Sequence, residues 1–434
     1  MANTYTTYKD SGIPWIGEIP SEWNLERLQT MTYEIVEKNN PIQTNNVLSL
    51  TIKDGVIPYE EKGDVGNKSK DNYEEYKLAY PETIVLNSMN ILIGAVGLCK
   101  YFGCVSPVYY VLKNSPNSNL KYLFYILSSQ PFQRYLRKFA NGILEIRLRI
   151  SSQDIIKRHI PCPSLYEQDS IANFLDKKCS EIDELISLQE KMIDELKAYK
   201  QSVITEAVTK GLDRKVKMKD SGVATIGEIP NHWKLVHFSK VNYIRARLGW
   251  KGLKAEEYVE QGHPFLSAFN IINDKLDWND LNFINDIRYE ESPEIKLSTN
   301  DLVLVKDGAG IGKCAVVESL PFGTATVNSS LAVITPLNYV NSKYQYYCLK
   351  SEAFQTIIWQ LKIGMGVPHL TQENMKAIIN PCPPIEEQKQ IASYLDTKCS
   401  QIDSLISIKE KKIEELKDYK KSLIYEYVTG KKRV

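Results

Sequence analysis

The chain has 434 residues, of which 43% are hydrophobic and 25% are charged, and its net charge is +1. That length allows two or three domains with cores of their own, and the composition is ordinary for a globular protein. The balanced charge argues against a uniformly basic nucleic-acid binder but leaves room for local basic segments. No signal peptide and no run of transmembrane length is present, so we expect a cytoplasmic protein without a membrane partner.

The eight cysteines form no CxxC pair, and there are five histidines. Cys179 and Cys399 fall on the apolar face of a predicted helix, where small buried residues are more common than ligands or redox groups. Cys99 and Cys104 flank a glycine without further ligands nearby. We therefore predict no metal site.

The first insert, residues 24–160, follows a short block at residues 9–23 (KDSGIPWIGEIPSEW). Residues 83–111 alternate β-prone runs with Gly and Asn-Ser breaks, which indicates a strand-rich centre. An amphipathic helix is predicted near residues 120–139, followed by a loop at residues 141–142. Basic residues are concentrated near the end of the insert: Arg134, Arg137, Lys138, Arg147, Arg149, Lys157 and Arg158.

A long helix is predicted to begin near Glu167, because no Gly or Pro follows until Gly211. Its apolar residues recur at steps of three and four, which is a heptad pattern. About 43 helical residues, at roughly 1.5 Å each, give a rod of about 64 Å. Pro163 marks the junction before the helix, and Gly211 suits its end.

The second half of the chain repeats parts of the first. Residues 219–233 match residues 9–23 at 10 of 15 positions, and residues 381–429 match residues 161–209 at 30 of 49 positions. The inserts between these blocks, 24–160 and 234–380, show little resemblance to each other. A repeated frame with unlike inserts indicates two different readers held by one symmetric scaffold.

Two matching rods on one chain can cover each other's apolar faces, although a single stripe would more often be core or a homodimer seam. We predict an α+β protein: two globular mixed α/β domains separated by two long antiparallel coiled-coil helices, with internal pseudo-two-fold symmetry. The predicted segments are residues 1–160, 161–213, 214–380 and 381–434. The Glu- and Lys-rich outer faces of the rods are either simply solvated or a docking surface for a partner.

The second insert has a strand-rich centre at residues 301–335, a predicted helix near residues 342–360 and a glycine loop at residues 364–366. Its segment GAGIG, residues 308–312, raises the alternative of a nucleotide or S-adenosylmethionine site in a self-contained methyltransferase. A phosphate loop needs GxxxxGK[ST] and a following helix, whereas Lys313 is followed by Cys314 and a β-prone run. We therefore favour a strand–loop–strand that brings Lys306 or Lys313 close to a ligand.

The whole chain resembles the specificity subunit of Type I restriction–modification enzymes. The resemblance rests on IGEIPxxW before each insert, on the Pro-x-Pro…Glu-Gln-x-x-Ile-Ala-x-x-Leu-Asp motif at residues 161–176 and 381–396, and on Ile-Asp-x-Leu-Ile followed by Tyr-Lys-x-Ser. The segments VLNSMNILIGAVG and LVKDGAGIGK also resemble the target-recognition domains of that family.

This resemblance implies that each insert reads one half of a split, asymmetric sequence in double-stranded DNA, while the helices set the spacer and dock the methyltransferase subunits. It implies a chain without catalysis, catalytic residues, cofactor or metal of its own. Two modification subunits would use S-adenosylmethionine, and motor–nuclease restriction subunits would use ATP and Mg. The remaining alternative is a scaffold that gathers proteins without touching DNA.

Candidate DNA-contacting residues are side chains able to reach base edges or phosphates, together with residues of basic or Gly-rich loops. For Asn87, Ser88 and Asn328 a turn role is equally open; Arg147 and Arg149 could instead be solvated, and Tyr101, Trp250 and His369 could instead pack. The full set is Asn87, Ser88, Lys100, Tyr101, Asn141, Arg147, Arg149, Arg245, Arg247, Trp250, Lys251, Lys306, Lys313, Asn328 and His369.

Overall fold

The computed structural model describes residues 4–63, 72–141, 148–247, 253, 255–362 and 368–434. The chain divides into two units: unit 1 comprises Met1–Glu190 with Lys411–Val434, and unit 2 comprises Lys191–Glu410. Each unit therefore contains one insert, the beginning of the long helix that follows it and the end of the other long helix.

Unit 1 is built from short strands and helices around one four-stranded sheet. Its described strands are Tyr8–Asp10, Glu18–Pro20, Asn24–Arg27, Thr32–Ile35, Leu48–Thr51, Gly55–Pro58, Lys77–Ala79, Thr83–Asn87, Val96–Cys99, Gly103–Val105, Tyr109–Asn114 and His159–Cys162. Its insert helices are Leu28–Met31, Leu120–Ser128, Gln130–Leu136 and Ser152–Ile156, and the first long helix is Leu165–Lys210.

Unit 2 follows the same plan with an additional three-stranded sheet. Its described strands are Met218–Asp220, Glu228–Pro230, Lys234–His237, Asn242–Arg245, His263–Leu266, Ile271–Ile272, Lys275–Leu276, Asn282–Ile284, Leu302–Val305, Cys314–Val316, Thr326–Val327, Leu331–Pro336 and Ile379–Cys382. Its insert helices are Phe238–Val241, Asp286–Glu290, Ser342–Lys350, Glu352–Leu361 and Gln372–Ala377, and the second long helix is Ile385–Val428.

The central sheet of each unit is antiparallel and contains one strand that is buried throughout. In unit 1 the strand Thr83–Asn87 lies between Tyr109–Asn114 and Val96–Cys99. In unit 2 the strand Leu302–Val305 lies between Leu331–Pro336 and Cys314–Val316. Every residue of both buried strands is covered, which explains why their sequences are continuous apolar runs rather than alternating patterns.

Within each unit, the two long-helix segments run antiparallel. In unit 1 the Lys420 ammonium contacts the Asp183 carboxylate at 2.7 Å, and the rings of Phe174 and Tyr427 lie 4.4 Å apart. As the residue number rises along one helix, the number of the residue that it contacts on the other helix falls. The seam also buries Ile182 and Leu423 in the core of unit 1.

The helix segments of unit 2 repeat this arrangement with the roles exchanged. The Lys200 ammonium contacts the Asp403 carboxylate at 2.7 Å, and Val203 and Leu395 lie in one apolar core. The predicted α+β class, with mixed α/β domains and paired antiparallel long helices, is confirmed.

The inserts are attached to the long helices by contacts that repeat although most of the insert sequence does not. The Tyr125 hydroxyl donates to Asp176 at 2.7 Å, and the Tyr347 hydroxyl donates to Asp396 at 2.8 Å. The side chain of Asn119 caps the helix Leu120–Ser128. Both inserts are therefore attached to the repeated long helices in the same way.

The amphipathic helices predicted near residues 120–139 and 342–360 are each broken into two, so a single helix was wrong in both places. Ser129 and Ser351 both have extended backbone and begin a second helix. The Ser351 hydroxyl accepts from the backbone N–H of Phe354, and Pro131 occupies the first turn after Ser129. Both devices favour a new helix N-terminus over continuation of the old one.

The cysteines of the repeat are packing residues, as predicted. Cys179 and Cys399 are each 6% exposed. Burial raises the pKa of the Cys179 thiol to about 11, so the neutral form is present at physiological pH. None of the described residues forms a group of three or more potential metal ligands.

Candidate nucleic-acid interface

One end of the buried strand in unit 1 carries a turn that leads into the short helical segment Ile91–Ile93. Asn87 and Ser88 are only 6% and 5% exposed. The Asn87 side-chain oxygen accepts from the Met89 backbone N–H at 3.0 Å, and the Ser88 carbonyl accepts from the Ile150 N–H at 3.1 Å. Both residues therefore build the turn in this structure, and their side chains do not face an external ligand.

Asn141 and Arg149 stand next to this turn and are exposed. Their backbones exchange hydrogen bonds of 2.7 and 2.9 Å, which closes the base of the segment between them. Because Ile150 bonds to Ser88, this base is fixed to the end of the central sheet. Arg147 belongs to residues 142–147, which lie outside the described residues.

Lys100 and Tyr101 lie at the opposite end of the same sheet. They follow Cys99, which is paired with Thr83 at the start of the buried strand. Asn87 ends that strand, about 13 Å away at roughly 3.3 Å per residue. The structure therefore does not bring Lys100 and Tyr101 together with Arg149.

In unit 2 the corresponding strand end carries different side chains on the same backbone pattern. The Lys306 carbonyl accepts from the Leu370 N–H at 2.8 Å, as the Ser88 carbonyl does from Ile150 in unit 1. His369 thus takes the position that Arg149 holds in unit 1. This end of the sheet, in each unit separately, is hereafter the strand-end site.

His369 is held by a carboxylate. Its Nδ1 is hydrogen-bonded to Asp307, whose second oxygen contacts the Lys306 ammonium at 2.6 Å. The His369 side chain is 48% exposed, whereas that of Lys306 is only 12% exposed. With Nδ1 bound to a carboxylate, Nε2 is the ring atom left to present to a ligand. Lys306 mainly compensates the charge of Asp307.

The glycine loop at residues 308–312 has three of its five backbone amides engaged within the domain. The backbone N–H of Gly308 donates to Pro368 at 2.9 Å, that of Ile311 donates to Gly308, and that of Gly312 donates to Val305 at 2.9 Å. The strand Cys314–Val316 follows instead of a helix. A phosphate cradle needs free amides at a helix N-terminus, so this loop does not have the form of a nucleotide site.

Glycine suits position 312 because its backbone is in the left-handed region. Its φ is +90°, and a Cβ atom at this position would meet the side-chain oxygen of Gln355 at 2.5 Å. The Gln355 amide also donates to the Gly312 carbonyl at 3.0 Å. The loop is therefore packed against its own domain, with Lys313 exposed at its end.

Asn328 lies beside the strand-end site of unit 2 and organises a turn. Its side-chain oxygen accepts from the Ser330 N–H at 3.1 Å and hydroxyl at 2.6 Å, and the Ser330 carbonyl accepts from the Lys306 N–H at 2.9 Å. The half-buried Asn328 thus supports the site through Ser330 in this structure.

Arg245 is engaged inside unit 2, at the other end of the sheet. Its guanidinium donates to Asp301 at 2.9 Å, to Thr335 at 2.6 Å and to the Lys296 carbonyl at 2.9 Å. The side chains of Arg245 and Asp301 are 13% and 1% exposed. Base contact would require breaking a buried ion pair, which is costly. We therefore leave Arg245 out of the interface.

Arg247 lies two residues beyond Arg245, just after the strand Asn242–Arg245. Arg247 is half-buried, and its Nε atom is buried without a hydrogen-bond partner among the described residues. Trp250 and Lys251 lie outside the described residues.

Phe269 was not singled out from the sequence. It is 91% exposed in the turn after the strand His263–Leu266, and the Leu266 carbonyl accepts from the Asn328 N–H at 2.8 Å. The turn is fixed by reciprocal bonds between Ser267 and Asn270. A lone phenylalanine in SAFNII looks like a core residue, so the sequence carried no signal of its exposure.

No helix formed by the described residues is both long and apolar enough to cross a membrane.

A family model described as the Type I restriction modification DNA specificity domain matches residues 20–198 and again residues 251–418. The chain is 29% identical over 316 residues to the Type I restriction enzyme MjaVIII specificity subunit of Methanocaldococcus jannaschii, covering 72% of this chain and 70% of the relative. It is 26% identical to the putative MjaX specificity subunit of the same organism, over 96% of both chains.

Solved structures show the same fold at low sequence identity. A chain from a study of assembly and conformational transition of the type I R-M system aligns with a TM-score of 0.72 at 14% identity, covering 94% of this chain and 98% of that one. The HsdS subunit of Thermoanaerobacter tengcongensis aligns with a TM-score of 0.53 at 15% identity, covering 95% and 98%.

Proposed function

Since the chain belongs to the family of Type I restriction modification DNA specificity domains, we propose that its two strand-end sites read the two halves of a split DNA sequence. The chain is a specificity subunit of a Type I restriction–modification system with two target-recognition domains. Such a subunit works with DNA and with other subunits of the system.

One observation carries the proposal that the half-sites differ. The same backbone position, fixed by the bond of its successor to the strand end, holds Arg149 in unit 1 and His369 in unit 2. Arginine offers a planar set of donors suited to the O6 and N7 acceptors of guanine. A histidine with Nδ1 on a carboxylate offers a single ring nitrogen. Unlike donors in equivalent places favour unlike bases.

Exchange of one insert tests this proposal. Residues 234–380 would be replaced by the corresponding insert of another specificity subunit, and the methylated sequences of cells carrying the chimaera would be compared with those of cells carrying the parent chain. We expect one half-site to change while the other half-site and the spacer stay the same. A change in both halves, or in neither, would contradict the assignment of one half-site to each unit.

We further propose that the chain is not catalytic and that two modification subunits dock on the long helices. Each unit exposes an equivalent apolar triad, called here the docking triad: Leu185, Leu188 and Tyr419 in unit 1, and Leu405, Ile408 and Tyr199 in unit 2, at 47–64% exposure. Exposed apolar side chains on an otherwise charged helix face favour a protein partner.

The equivalence of the two triads supports two copies of the same partner. Tyr419 precedes Lys420, which contacts Asp183, and Leu185 lies two residues beyond Asp183. In unit 2 Tyr199 precedes Lys200, which contacts Asp403, and Leu405 lies two residues beyond Asp403. A partner that recognises one triad would find the same arrangement on the other.

The partner subunits would supply the chemistry. In this proposal S-adenosylmethionine is bound by the modification subunits, while ATP and Mg are bound by restriction subunits. The form of the glycine loop at residues 308–312 supports this division, because the strand Cys314–Val316 follows the loop in place of the helix N-terminus that holds a phosphate.

A further inference from the structure

Unit 1 has a basic surface beside its strand-end site. Arg134, Arg137 and Lys138 lie one turn apart at the end of the helix Gln130–Leu136 and in the turn that follows. All three side chains are exposed. Residues three and four apart share a face of a helix, so the three charges point to one side.

Two further cations, Lys157 and Arg27, extend this surface. The Arg158 guanidinium lies 3.8 Å from the centroid of the Phe139 ring, which holds the chain around Lys157 against the end of the helix. His159 is paired with Arg27 across two strands. Lys157 and Arg27 are both exposed. The set is called here the basic ridge: Arg27, Arg134, Arg137, Lys138 and Lys157.

The basic ridge carries uncompensated charge. None of its five side chains forms an ion pair with a carboxylate in the part of the chain that the structure describes, whereas many other lysines and arginines do. The nearby Asp154 is hydrogen-bonded to Ser151. Five exposed cations without a carboxylate partner among the described residues favour a polyanionic ligand over a protein surface of mixed charge.

The ridge is continuous with the strand-end site. Phe139 is two residues from Asn141, which bonds to Arg149, and two residues span about 7 Å at most. A DNA duplex whose bases approach Arg149 would therefore bring its phosphates close to Arg137 and Lys138.

Unit 2 lacks this surface at the corresponding positions. Counted from Ser351 as the first unit is counted from Ser129, the helix Glu352–Leu361 carries Thr356, Trp359 and Gln360 in place of Arg134, Arg137 and Lys138. Paired strands place His237 where Arg27 stands, and Ala377 stands where Lys157 does, two residues before the strand Ile379–Cys382.

We propose that the basic ridge binds the phosphate backbone next to the half-site read by unit 1, and that it supplies affinity without sequence information. The inference rests on the proposed function. Phosphate contacts position a protein on DNA and release counterions, so their number is measured by the salt dependence of binding. The same position in unit 2 makes no such contribution.

The test compares two triple variants of the full chain, assembled with its modification subunit. The ridge variant is Arg134→Gln, Arg137→Gln and Lys138→Gln. The control is Lys38→Gln, Lys53→Gln and Lys113→Gln, which removes the same charge from exposed positions of unit 1. Dissociation constants for a cognate duplex and for an unrelated duplex would be measured at several NaCl concentrations between roughly 0.05 and 0.3 M. The screening length of the solution shortens across this range.

We expect the slope of log K against log salt to fall by about 2–3 in the ridge variant, at roughly 0.9 per phosphate contact. The control should keep the parental slope, and the ratio of specific to non-specific affinity should stay the same in both variants. Arg134→Lys with Arg137→Lys should keep the slope, since the charges remain.

An unchanged slope in a correctly folded ridge variant would overturn the inference, and so would an equal loss in the control. Melting curves of both variants would show whether folding is retained. Should the triple glutamine variant unfold, Arg137→Gln alone provides the same test, with an expected fall in slope of about 0.9. Failure of the proposed function has a different signature, because the parental complex itself would then show no preference for one bipartite site.

Discussion

The indole N–H of Trp23 donates to the carboxylate of Glu167 at 3.0 Å, and Trp233 makes the same bond to Glu387 at 3.0 Å. Both tryptophans are 1% exposed. Each bond joins the block before an insert to the first turn of the long helix after it. The insert is thereby closed into a loop whose two ends are fixed to the same helix start.

This bond predicts a stability effect. Glu387→Ala would leave the buried Trp233 N–H without an acceptor, which costs about 1–3 kcal/mol for a buried polar group. We expect unit 2 to unfold at a lower denaturant concentration, with tryptophan fluorescence as the measure of unfolding. The control is Glu386→Ala in the same helix turn, whose side chain is 74% exposed and whose loss should leave the midpoint nearly unchanged. Equal midpoints for the two variants would contradict the role of the bond.

Base reading by the strand-end sites predicts separable losses of specificity. Arg149→Ala should reduce discrimination at the half-site of unit 1 by roughly 5- to 150-fold, the equivalent of about 1–3 kcal/mol for one bidentate base contact. His369→Ala should relax only the other half-site. Affinities for duplexes substituted in one half at a time would measure both effects.

Each variant is the control for the other in that experiment. Both side chains are substantially exposed, so little folding energy is lost with them. A uniform loss across all duplexes for Arg149→Ala would instead identify that residue as a phosphate contact like those of the basic ridge.

The cysteines predict a labelling pattern that depends on pH. Burial raises the pKa of the Cys179 thiol to about 11 and that of the Cys314 thiol to about 12. The thiolate is the reactive form and appears only as pH rises toward the pKa. At pH 8 the folded chain should therefore react slowly with a thiol reagent at both positions, while denatured chain should expose all eight cysteines. Rapid modification of Cys314 in the folded chain would contradict its complete burial in the core of unit 2.

The repeated frame could be predicted from the sequence because the residues that build it repeat as well. Trp23 and Glu167 recur as Trp233 and Glu387 at the joints of both inserts. The heptad pattern placed the long helices close to their observed ends, Leu165–Lys210 and Ile385–Val428. A heptad pattern sustained over about forty residues is a strong signal for a long helix.

The contacts that position the inserts were harder to predict because they join distant parts of the chain. Arg245 and Asp301, which form an ion pair, are 56 residues apart in the sequence. No local sequence pattern therefore predicts that they are partners. The hydrogen bond from Tyr125 to Asp176 joins the insert to the long helix. The tyrosine that makes this bond in each unit is an isolated match between inserts that are otherwise unlike. Local breaks were missed for a different reason: Ser129 and Ser351 end one helix and begin another within a continuous amphipathic pattern.

The docking triads predict a stoichiometry. Leu185→Ser with Leu188→Ser removes apolar surface from unit 1, and Leu405→Ser with Ile408→Ser removes it from unit 2. If each triad binds one modification subunit, either double variant should bind one copy instead of two, and the quadruple variant should bind none. Native mass spectrometry of the assembled complex would count the copies directly.

The exposure of these side chains keeps the experiment interpretable. Exposed apolar residues contribute little to the core, so the variants should melt at close to the parental temperature. The matched control is Ile272→Ser with Ile287→Ser, two side chains at 50% and 79% exposure on the insert of unit 2, which should leave two copies bound. Retention of two copies by the quadruple variant would show that the partner docks elsewhere, and loss of both copies from a single double variant would show that the two docking events are coupled rather than independent.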